Sequence, residues 1–460
     1  MDRAIVKLKQ LILLSGDLAI FYLALWAALI ARGLFPRTVL IGWSGHVVPF
    51  SIVFLAWLII FYTNGLYDLA AARNEARFLR KAAAGFAAAA IAAVAFFYLV
   101  PFFWIEPRTT LAFDLLITSA LWILWRTIFN ATIASRALRT RVCFIGWNPE
   151  AAELTRIIHA RPNVGYQVAA VVAPNVNPTL PSGSSIAIKQ DFSRLSDFLR
   201  SERVATVVMA MSPRTTPELA RPLYESIFLK LAFTDIIPFY EQLTGRIPVS
   251  AITRIWFLEN LREAEKRFYD VIKRAGDLAM AAAIGIFTIA ISPLVAAAIS
   301  VNSRGPIFYR QERVGKDGKT FRIVKFRTMV RDAETNGAQF ASKDDSRVTR
   351  VGRFLRAARI DELPQVWNVI RGEMSFIGPR PERPEFVRQL EEAMPFYSMR
   401  HLVQPGLTGW AQVNYSYAAT LEENLEKLQY DLFYIKNRSL LTDLAIMLRT
   451  LGIILSAKGQ

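Results

Sequence analysis

The residues best suited to chemistry form an adjacent acid pair, Asp361 and Glu362, in a stretch that is rich in arginine. Pro364 follows the pair, and because a helix accepts proline only within its first turn, a helix is predicted to begin at about Asp361. Asp361 could then be an N-cap, a common role for aspartate. Alternatively, a phosphoryl group and a metal ion meet at these carboxylates, at the positive end of the helix.

Arginines recur every three residues before the acid pair, and further arginines follow it. The set comprises Arg347, Arg350, Arg353, Arg356, Arg359, Arg371, Arg380 and Arg383. Helical spacing would place several of them along one side, where they could bind phosphates through paired hydrogen bonds. Attraction to lipid headgroups, about 1 kcal/mol per basic residue near an anionic surface, explains most of them equally well.

Arg380 lies between Pro379 and Pro381. The two prolines stiffen the backbone and fix the direction of the guanidinium. Such rigidity suits a phosphate or nucleotide clamp.

A second group of cations precedes the arginine row. Residues 307–326 are predicted to form a hairpin around Lys316-Asp317-Gly318-Lys319. Lys325 and Arg327 lie at its end, so the hairpin presents a dense cationic surface close to an apolar segment of the chain.

Composition limits the possible functions. At about 150 residues per domain, 460 residues suggest about three structural units. Hydrophobic residues make up 53% and charged residues 20%, which excludes a disordered chain and indicates a membrane protein. The net charge of +17 fits nucleic acid, anionic lipid or phosphorylated small molecules, and the apolar content favours the last two. With one cysteine and three histidines, neither an intrachain disulfide nor a Cys- or His-based metal centre is expected.

Four long runs near the N-terminus carry almost no charge. They cover residues 10–31, 47–67, 82–105 and 109–125, with Asp17 and Asp114 as the only charges. Each run is close to the length that spans a bilayer core, so residues 1–130 are predicted to form a four-helix transmembrane bundle. The two acids either mark an ion path or, more simply, form hydrogen bonds between helices.

Basic residues are distributed unevenly around these runs. One side has Arg3, Lys7, Lys9, Arg73, Arg77, Arg80, Lys81, Arg126, Arg136, Arg139 and Arg141, and the other has Arg32, Arg37 and Arg108. The positive-inside rule therefore places both ends of the bundle in the cytoplasm.

After Arg141 the pattern changes to short β-branched runs that alternate with amphipathic stretches. Strands are predicted at 142–145, 168–172 and 204–211, helices at 151–158 and 217–229, and a loop at 178–185. This alternation predicts a small parallel α/β unit over residues 140–240. The first strand is followed by one glycine, Gly146, where a dinucleotide-binding loop has three, so we expect a degenerate Rossmann-like scaffold rather than an NAD site.

A fifth uncharged run covers residues 278–299. Basic residues flank both of its ends, which the positive-inside rule disfavours for a crossing helix, and Ser292-Pro293 interrupts it. Both features favour a re-entrant hairpin over a kinked spanning helix. We therefore expect a linker helix at 241–270 and a C-terminal unit at 271–460 that begins with the re-entrant helix at 274–300.

Seven ordered blocks give this C-terminal part a specific resemblance. They are KRAGD at 273–277, SRGP at 303–306, RQERVG at 310–315, KFRTM at 325–329, DELPQ at 361–365, GPRPE at 378–382 and PGLTG at 405–409. The blocks resemble those of the bacterial sugar transferase family, the polyprenyl-phosphate phosphoglycosyl transferases. With the N-terminal bundle and α/β unit, the whole chain is similar to the long members, undecaprenyl-phosphate sugar phosphotransferases of exopolysaccharide and O-antigen synthesis.

The resemblance implies a monotopic catalytic domain with a re-entrant membrane helix, an Asp-Glu pair and Mg²⁺. Carried over, Asp361 attacks the β-phosphate of a nucleotide sugar, and Glu362 positions or deprotonates the lipid phosphate; both acids are the expected metal ligands. Mg²⁺ and arginines would screen the charge between carboxylate and diphosphate. The expected phosphate- and substrate-binding residues are Arg356, Arg380, Lys325, Arg327, Pro379 and Pro381.

The sequence thus predicts a membrane α-helical bundle, a Rossmann-like α/β domain and a monotopic α/β catalytic domain in a bacterial inner-membrane enzyme with a cytoplasmic active site. Expected partners are a nucleotide sugar, with UDP as the nucleotide, undecaprenyl phosphate, membrane lipid and a second copy of the chain; nucleic acid is not expected. The alternatives are a membrane scaffold or regulator of polysaccharide assembly whose α/β unit senses a nucleotide, and a nucleotide-sugar modifying enzyme with bound NAD. No block identifies the sugar.

Overall fold

The computed structural model describes residues 2–32, 36–67, 75–99, 108–133, 139–161, 165–174, 176–213, 215–261, 263–330, 347–415 and 420–455. The chain divides into two compact units, Met1–Leu243 and Thr244–Gln460. Arg73 and Arg136 of the orientation count, and the end of the third apolar run at Ile105, lie outside the described residues.

The first unit opens with four long helices. They are α1 (Asp2–Arg32), α2 (Pro36–Thr63), α3 (Glu75–Leu99) and α4 (Arg108–Ile133). Phe21, Trp57 and Trp122 are almost fully buried between them, whereas Ile91 and Leu116 expose 70% and 69% of their surface. Helices that are apolar on both their inner and outer faces fit a membrane environment. In the described part of the chain, five helices are long and apolar enough to cross a membrane, and the fifth lies in the second unit.

An ion pair joins α1 to α4 inside this bundle. Asp17 accepts hydrogen bonds from Arg126 (2.7 Å) and from the indole N–H of Trp122 (3.2 Å). The prediction that the intramembrane acids form bonds between helices is therefore confirmed for Asp17. Asp114 instead lies beside Thr118 on its own helix and bonds to no other helix within the described residues.

The rest of the first unit is an α/β layer structure. Its elements are β1 (Thr140–Ile145), α5 (Pro149–Ala160), β2 (Tyr166–Val172), β3 (Ala187–Lys189), α6 (Leu195–Ser201), β4 (Thr206–Met209), α7 (Pro217–Ser226), β5 (Ala232–Asp235) and α8 (Ile236–Thr244), whose last residue falls in the second unit. The strands form one parallel sheet in the order β3-β2-β1-β4-β5. This is the Rossmann-type order 3-2-1-4-5-6 without its sixth strand, and it confirms the predicted parallel α/β unit.

The loop after β1 contains one glycine, which lies close to Met211, and a side chain that caps the next helix. Gly146 has φ +90°, and a Cβ there would lie 3.0 Å from the backbone nitrogen of Met211. The Asn148 side chain caps α5 by accepting the N–H of Ala151 at 2.8 Å. In a dinucleotide site that helix end faces the pyrophosphate, whereas here it is capped by Asn148; the scaffold role stays a prediction.

The second unit begins with short helical segments. Residues 241–270, predicted as one linker helix, instead contain the end of α8, 3₁₀ turns at Val249–Ala251 and Glu263–Lys266, α9 (Arg254–Asn260) and the start of the next helix. Gly245 has φ +66°, and Pro248 follows it, so a continuous helix is interrupted there.

The remaining elements form the body of this unit. They are α10 (Arg267–Asn302), β6 (Phe308–Val314), β7 (Thr320–Phe326), α11 (Arg350–Ala357), a 3₁₀ helix (Ile360–Gln365), α12 (Val366–Arg371), β8 (Ser375–Ile377), α13 (Pro384–Ala393), a 3₁₀ helix (Tyr397–Leu402), β9 (Gly406–Thr408), α14 (Trp410–Asn414), α15 (Leu421–Asn437) and α16 (Leu440–Leu455). Strands β6 and β7 pair antiparallel around residues 316–319, which confirms the predicted hairpin.

Helix α10 is continuous through Pro293 rather than interrupted there, and it begins at Arg267 rather than at 274. The Ser292 hydroxyl donates to the Thr288 carbonyl at 2.6 Å, one turn back. Such a bond, next to a proline, bends a helix without ending it.

Candidate active site

The acid pair lies in the 3₁₀ helix between α11 and α12. Arg359, just before this helix, has φ +57°, and the turn it makes directs the chain into the acid pair. A helix was predicted to begin at about Asp361, and the 3₁₀ helix begins one residue earlier, at Ile360. The N-cap interpretation of Asp361 is wrong, because Arg359 occupies the cap position and no side chain caps this segment.

Glu362 is surrounded by cations. Its Oε1 atom accepts hydrogen bonds from Lys325 Nζ (2.9 Å) and Arg380 Nη2 (2.9 Å), and its Oε2 lies 3.7 Å from Arg359 Nη1. Burial alone would raise the pKa of Glu362, but Lys325 and then Arg380 hold it well below its usual range. Glu362 is therefore a permanently ionised anchor for the cations around it.

Asp361 has the opposite environment. It is 9% exposed, and its carboxylate makes no hydrogen bond or ion pair within the described residues. Burial, and secondly the charge of Glu362, raise the pKa of Asp361, while Lys325, Arg356 and Arg380 act against this shift. Cations thus lie around the Asp361 carboxylate, but none of them donates a hydrogen bond to it. This arrangement suits a nucleophile or a metal ligand.

The loop that carries Arg380 is held by three cations from three different elements. Arg400 donates to the Arg380 carbonyl (2.8 Å), Arg313 donates to the Pro381 carbonyl (3.1 Å), and Lys427 donates to Glu382 Oε1 (2.5 Å). We call these three contacts the 380–382 clamp. Because each residue of the loop is fixed, the direction of the Arg380 side chain is fixed as well.

Close backbone contacts position the same loop. Strand β8 pairs in parallel with β9, and the chain passes so closely that a Cβ on Gly406 would lie 2.1 Å from the Gly378 nitrogen. Only glycine permits this approach. The GPRPE and PGLTG blocks are therefore neighbours in space.

Sequence reasoning did not find the clamp. Arg313, Arg400 and Lys427 are not among the residues predicted to bind phosphate or substrate. They lie far along the chain from residue 381, and no local spacing rule connects them to it. The one signal in the sequence is Glu382, an acid that directly follows Arg380 and Pro381.

The predicted arginine row is broken. Only Arg350, Arg353 and Arg356 lie in α11; Arg347 precedes its cap, Thr349, and Arg359 lies beyond its end in a left-handed conformation. Arg350, Arg353 and Arg356 share one helix at a spacing that places them along one side, as predicted for several of the arginines, and the row extends no further because α11 spans only eight residues.

Arg356 and Arg327 differ in their relation to the acid pair. Arg356 donates through Nε to the Thr328 hydroxyl (2.9 Å) and acts electrostatically on Asp361. Arg327 donates to the carbonyl and hydroxyl of Ser303, at 2.7 and 2.9 Å, and so joins β7 to the end of α10. The structure does not bring Arg327 to the acid pair, and its substrate-binding role stays a prediction.

The site can supply a Mg²⁺ ion with only one or two protein ligands. No group of three or more His, Cys, Asp or Glu side chains that could hold a metal occurs in the part of the chain described. Glu362 is engaged by cations, and Asp361 retains its donor oxygens. Since Mg²⁺ commonly uses one or two carboxylates with substrate phosphates and water, Asp361 fits such a site better than Glu362 does.

Comparisons with known proteins add independent evidence. The family model described as bacterial sugar transferase matches residues 268–457, and one described as CoA-binding domain matches residues 62–224. A UDP-N-acetylgalactosamine-undecaprenyl-phosphate N-acetylgalactosaminephosphotransferase from Aeromonas hydrophila is 41% identical over 53% of this chain and 62% of its own length.

Two further relatives carry a different sugar in their names. UDP-glucose:undecaprenyl-phosphate glucose-1-phosphate transferase from Klebsiella pneumoniae is 29% identical over 68% of this chain and 67% of its own length. The protein of the same name from Caulobacter vibrioides is 43% identical over 41% of this chain and 71% of its own length. The chain thus spans about three fifths of the Aeromonas protein and about two thirds of the other two.

Proposed function

The chain belongs to the bacterial sugar transferase family, and on that premise we propose that it transfers a sugar 1-phosphate from a UDP-linked sugar to undecaprenyl phosphate, releasing UMP. The product would be a lipid-diphosphate sugar, the first membrane intermediate of a polysaccharide repeat unit. The observation that carries the proposal is the contrast within the acid pair. Glu362 is bound by Lys325 and Arg380, whereas Asp361 faces the same cations without bonding to them.

In the proposed first step a carboxylate oxygen of Asp361 attacks the β-phosphorus of the nucleotide sugar. The bond from that phosphorus to the bridging oxygen breaks, UMP leaves with the bridging oxygen, and an acyl phosphate that carries the sugar remains on Asp361. In the second step an oxygen of undecaprenyl phosphate attacks the same phosphorus, and the Asp361 carboxylate is released unchanged.

The surrounding residues have separate roles in this scheme. Arg380 and Lys325 would contact substrate phosphates with N–H groups that Glu362 leaves unused, since each donates only one bond to Glu362. Glu362 would hold both cations in place and orient the lipid phosphate. Arg356 would add positive charge beside Asp361. Bound Mg²⁺, held by Asp361 with a contribution from Glu362, would supply charge neutralisation on the diphosphate.

We also propose that α1–α4 span the inner membrane and that α10 enters it from the cytoplasmic side and returns. Contacts along α10 support re-entry. Arg274 donates to the carbonyls of Val369 and Ile370, Gly285 approaches Val366, and Asn302 accepts the Val351 N–H. Both ends and the middle of the helix thus contact α11 and α12 of the same unit.

A straight crossing helix conflicts with those contacts. Residues 274–302 would rise about 42 Å as a straight α-helix, more than the ~30 Å hydrocarbon core. Because α11 packs against the C-terminal half of α10, three arginines of α11 would be drawn into the membrane, at about 2.5–3.5 kcal/mol each or more. The exposed face of α10, with Ile286, Ile289 and Leu294 each more than 70% exposed, supports contact with lipid.

Two parts of the proposal are less specific. The relatives' names include both glucose and N-acetylgalactosamine, so we assign no sugar. A homodimer remains part of the proposal, and crosslinking of the purified protein in lipid nanodiscs tests it.

A reconstitution assay tests the reaction itself. The purified full-length protein, Mg²⁺ and undecaprenyl phosphate are incubated with radiolabelled UDP-sugars, one at a time. We expect one or more sugars to give labelled lipid together with an equal amount of UMP, and chelation of Mg²⁺ to stop both. Release of UDP in place of UMP would indicate simple glycosyl transfer and would contradict the proposal.

A further inference from the structure

A cationic pocket lies at the N-terminal end of α10, and the proposed reaction makes no use of it. Its polar lining comprises the cations Lys273, Arg274, Lys316 and Arg438, one acid, Asp270, and the uncharged Gln404 and Tyr434. Its volume is about 220 Å³, many times the roughly 10–15 Å³ that one water needs, so a phosphorylated headgroup fits. Among the described residues, none of these side chains bonds to Asp361 or Glu362.

Two of the pocket's cations are paired and two are not. Lys273 lies 2.8 Å from Asp443, and Arg438 lies 2.9 Å from Asp270. Arg274 and Lys316 have no carboxylate partner within the described ranges. The unpaired charges make the pocket a binding site for an anion rather than a closed network of ion pairs.

Arg274 is held in position before any ligand arrives. Its two Nη atoms donate to the successive carbonyls of Val369 and Ile370, at 2.6 and 2.9 Å. These bonds fix the guanidinium plane and leave Nε–H and one N–H on each Nη for a ligand. A planar, fixed guanidinium suits a phosphate group, which accepts two parallel hydrogen bonds.

The position of the pocket indicates where the phosphate comes from. Arg274 lies four residues before the uncharged run at 278–299, which is a rise of about 6 Å along the helix. The headgroup layer of a bilayer is about as thick, so with α10 inserted as proposed above, Arg274 lies at headgroup depth.

We propose that this pocket binds the phosphate group of an anionic membrane lipid, at a site separate from the acid pair. A bound headgroup would connect the membrane surface to the C-terminal end of α12, whose other end continues into the segment that carries Asp361. The assignment to lipid rests on the proposed insertion of α10, whereas the assignment to a phosphate anion rests on the pocket alone.

A binding experiment tests this assignment without measuring turnover. The full-length protein in neutral detergent is titrated with phosphatidylglycerol, with phosphatidylcholine or with inorganic phosphate, and thermal unfolding is followed. A ligand that binds only the folded state raises the unfolding temperature, and the stabilisation grows with the logarithm of the ratio of ligand concentration to dissociation constant. At equal ligand concentrations we expect a larger rise with phosphatidylglycerol than with either alternative.

Matched lysine variants locate the site. Lys316→Gln is expected to weaken phosphatidylglycerol binding about fivefold, and Arg274→Gln is expected to weaken it further. Lys316 is exposed and makes no described side-chain contact, so its replacement should not disturb folding. Lys319→Gln is the control, because Lys319 lies in the same turn but not in the pocket lining, and its binding should equal that of the wild type.

Three outcomes would overturn the proposal. Unchanged phosphatidylglycerol binding in Lys316→Gln and Arg274→Gln would exclude the pocket as the binding site. Equal weakening of binding in Lys319→Gln would indicate general attraction to the charge of the hairpin. A response to inorganic phosphate equal to that with phosphatidylglycerol would indicate a soluble anion and would overturn the assignment to lipid. Because sugar transfer is not measured, failure of the proposed reaction would not affect this result.

Discussion

Glu362 accepts two cationic hydrogen bonds at one oxygen, and Asp361, its neighbour in the chain, accepts none within the described residues. The difference arises because Lys325 and Arg380 converge on residue 362 from separate elements. Cations that surround Asp361 at a distance can stabilise an incoming diphosphate, since their remaining N–H groups are available. If Asp361 also formed ion pairs with Lys325 and Arg380, their charges would be neutralised and could not stabilise the diphosphate.

Arg380 and Arg356 should act on the substrate rather than on the membrane. We expect Arg380→Gln and Arg356→Gln each to lower kcat/KM by roughly 10²–10³-fold, because each removes a charge that stabilises the transition state. Arg353→Gln is the matched control, since Arg353 is exposed on the same helix as Arg356, and it should retain activity. The loss in Arg380→Gln and Arg356→Gln should be equal in nanodiscs of neutral and of anionic lipid; a loss that occurs only with anionic lipid would instead support the headgroup interpretation of these arginines.

For single residues, the sequence predicted which residue types the site contains better than it predicted which side chains bond to one another. Asp361, Glu362, Lys325 and Arg380 were all predicted, and the structure brings the last three together. Arg327 was predicted beside them but bonds to Ser303 instead. Side-chain direction at the end of a strand depends on tertiary packing, which motif spacing does not reveal.

The 380–382 clamp shows how several elements position one loop. Strand β6, the 3₁₀ helix at Tyr397–Leu402 and α15 each contribute one cation to it. The Arg400 side chain is 4% exposed and is itself paired with Asp431 at 2.9 Å. The clamp is therefore rigid enough to fix Arg380.

Glu382 gives this clamp a pH dependence. Burial acts to raise its pKa, but Lys427, Arg400 and Arg313 lower it to about 2. A lowered carboxyl pKa stabilises the fold fully above about pH 4.5, and that stabilisation is lost as the pH falls toward 2. We expect Glu382→Gln to lower the free energy of unfolding by about 3 kcal/mol at pH 7, and the difference from wild type to shrink below pH 4.5.

Thermal or denaturant unfolding between pH 7 and pH 3.5 measures this difference. Glu385→Gln is the control, because Glu385 is an exposed surface acid three residues away and its ion pair should contribute at most about 1 kcal/mol. A difference for Glu382→Gln that stayed constant down to pH 3.5 would mean that its charge does not stabilise the clamp.

Elements defined by local pattern were predicted well. The β6–β7 hairpin and the alternating strands of the parallel sheet follow from residues close in sequence. The linker helix was wrong, because Gly245 interrupts it, and the arginine row is shorter than its spacing in the sequence indicates, because the chain turns at the left-handed Arg359. Strands β3 and β5 were missed, since runs of three and four residues are too short to show a period.

For the whole molecule, the membrane arrangement depends on α10. Composition identified all five apolar helices, yet length and hydropathy alone do not distinguish a helix that crosses from one that returns. The contacts of α10 with α11 and α12 support the proposal that it returns. They join residues 49–96 positions apart, from Asn302 with Val351 to Arg274 with Ile370.

Cysteine accessibility measures the sidedness of α10. In a Cys143→Ala background, Arg267→Cys and Arg304→Cys place single thiols at the first residue of the helix and just after its end, and Cys143 is the only native cysteine. We expect an impermeant maleimide to label both in inverted membrane vesicles and neither in intact cells. Labelling of one thiol from each side would show that α10 crosses the membrane.

The most direct test of the account is to trap the covalent intermediate on Asp361. Wild-type protein is incubated with Mg²⁺ and a UDP-sugar labelled in its β-phosphate, without undecaprenyl phosphate, then quenched and digested. We predict label on the peptide that contains Asp361, one UMP released per labelled site, and neither label nor UMP from Asp361→Asn, which should still fold because the native side chain makes no described bond. UMP release that begins only after undecaprenyl phosphate is added, with no labelled peptide, would contradict the nucleophilic role of Asp361.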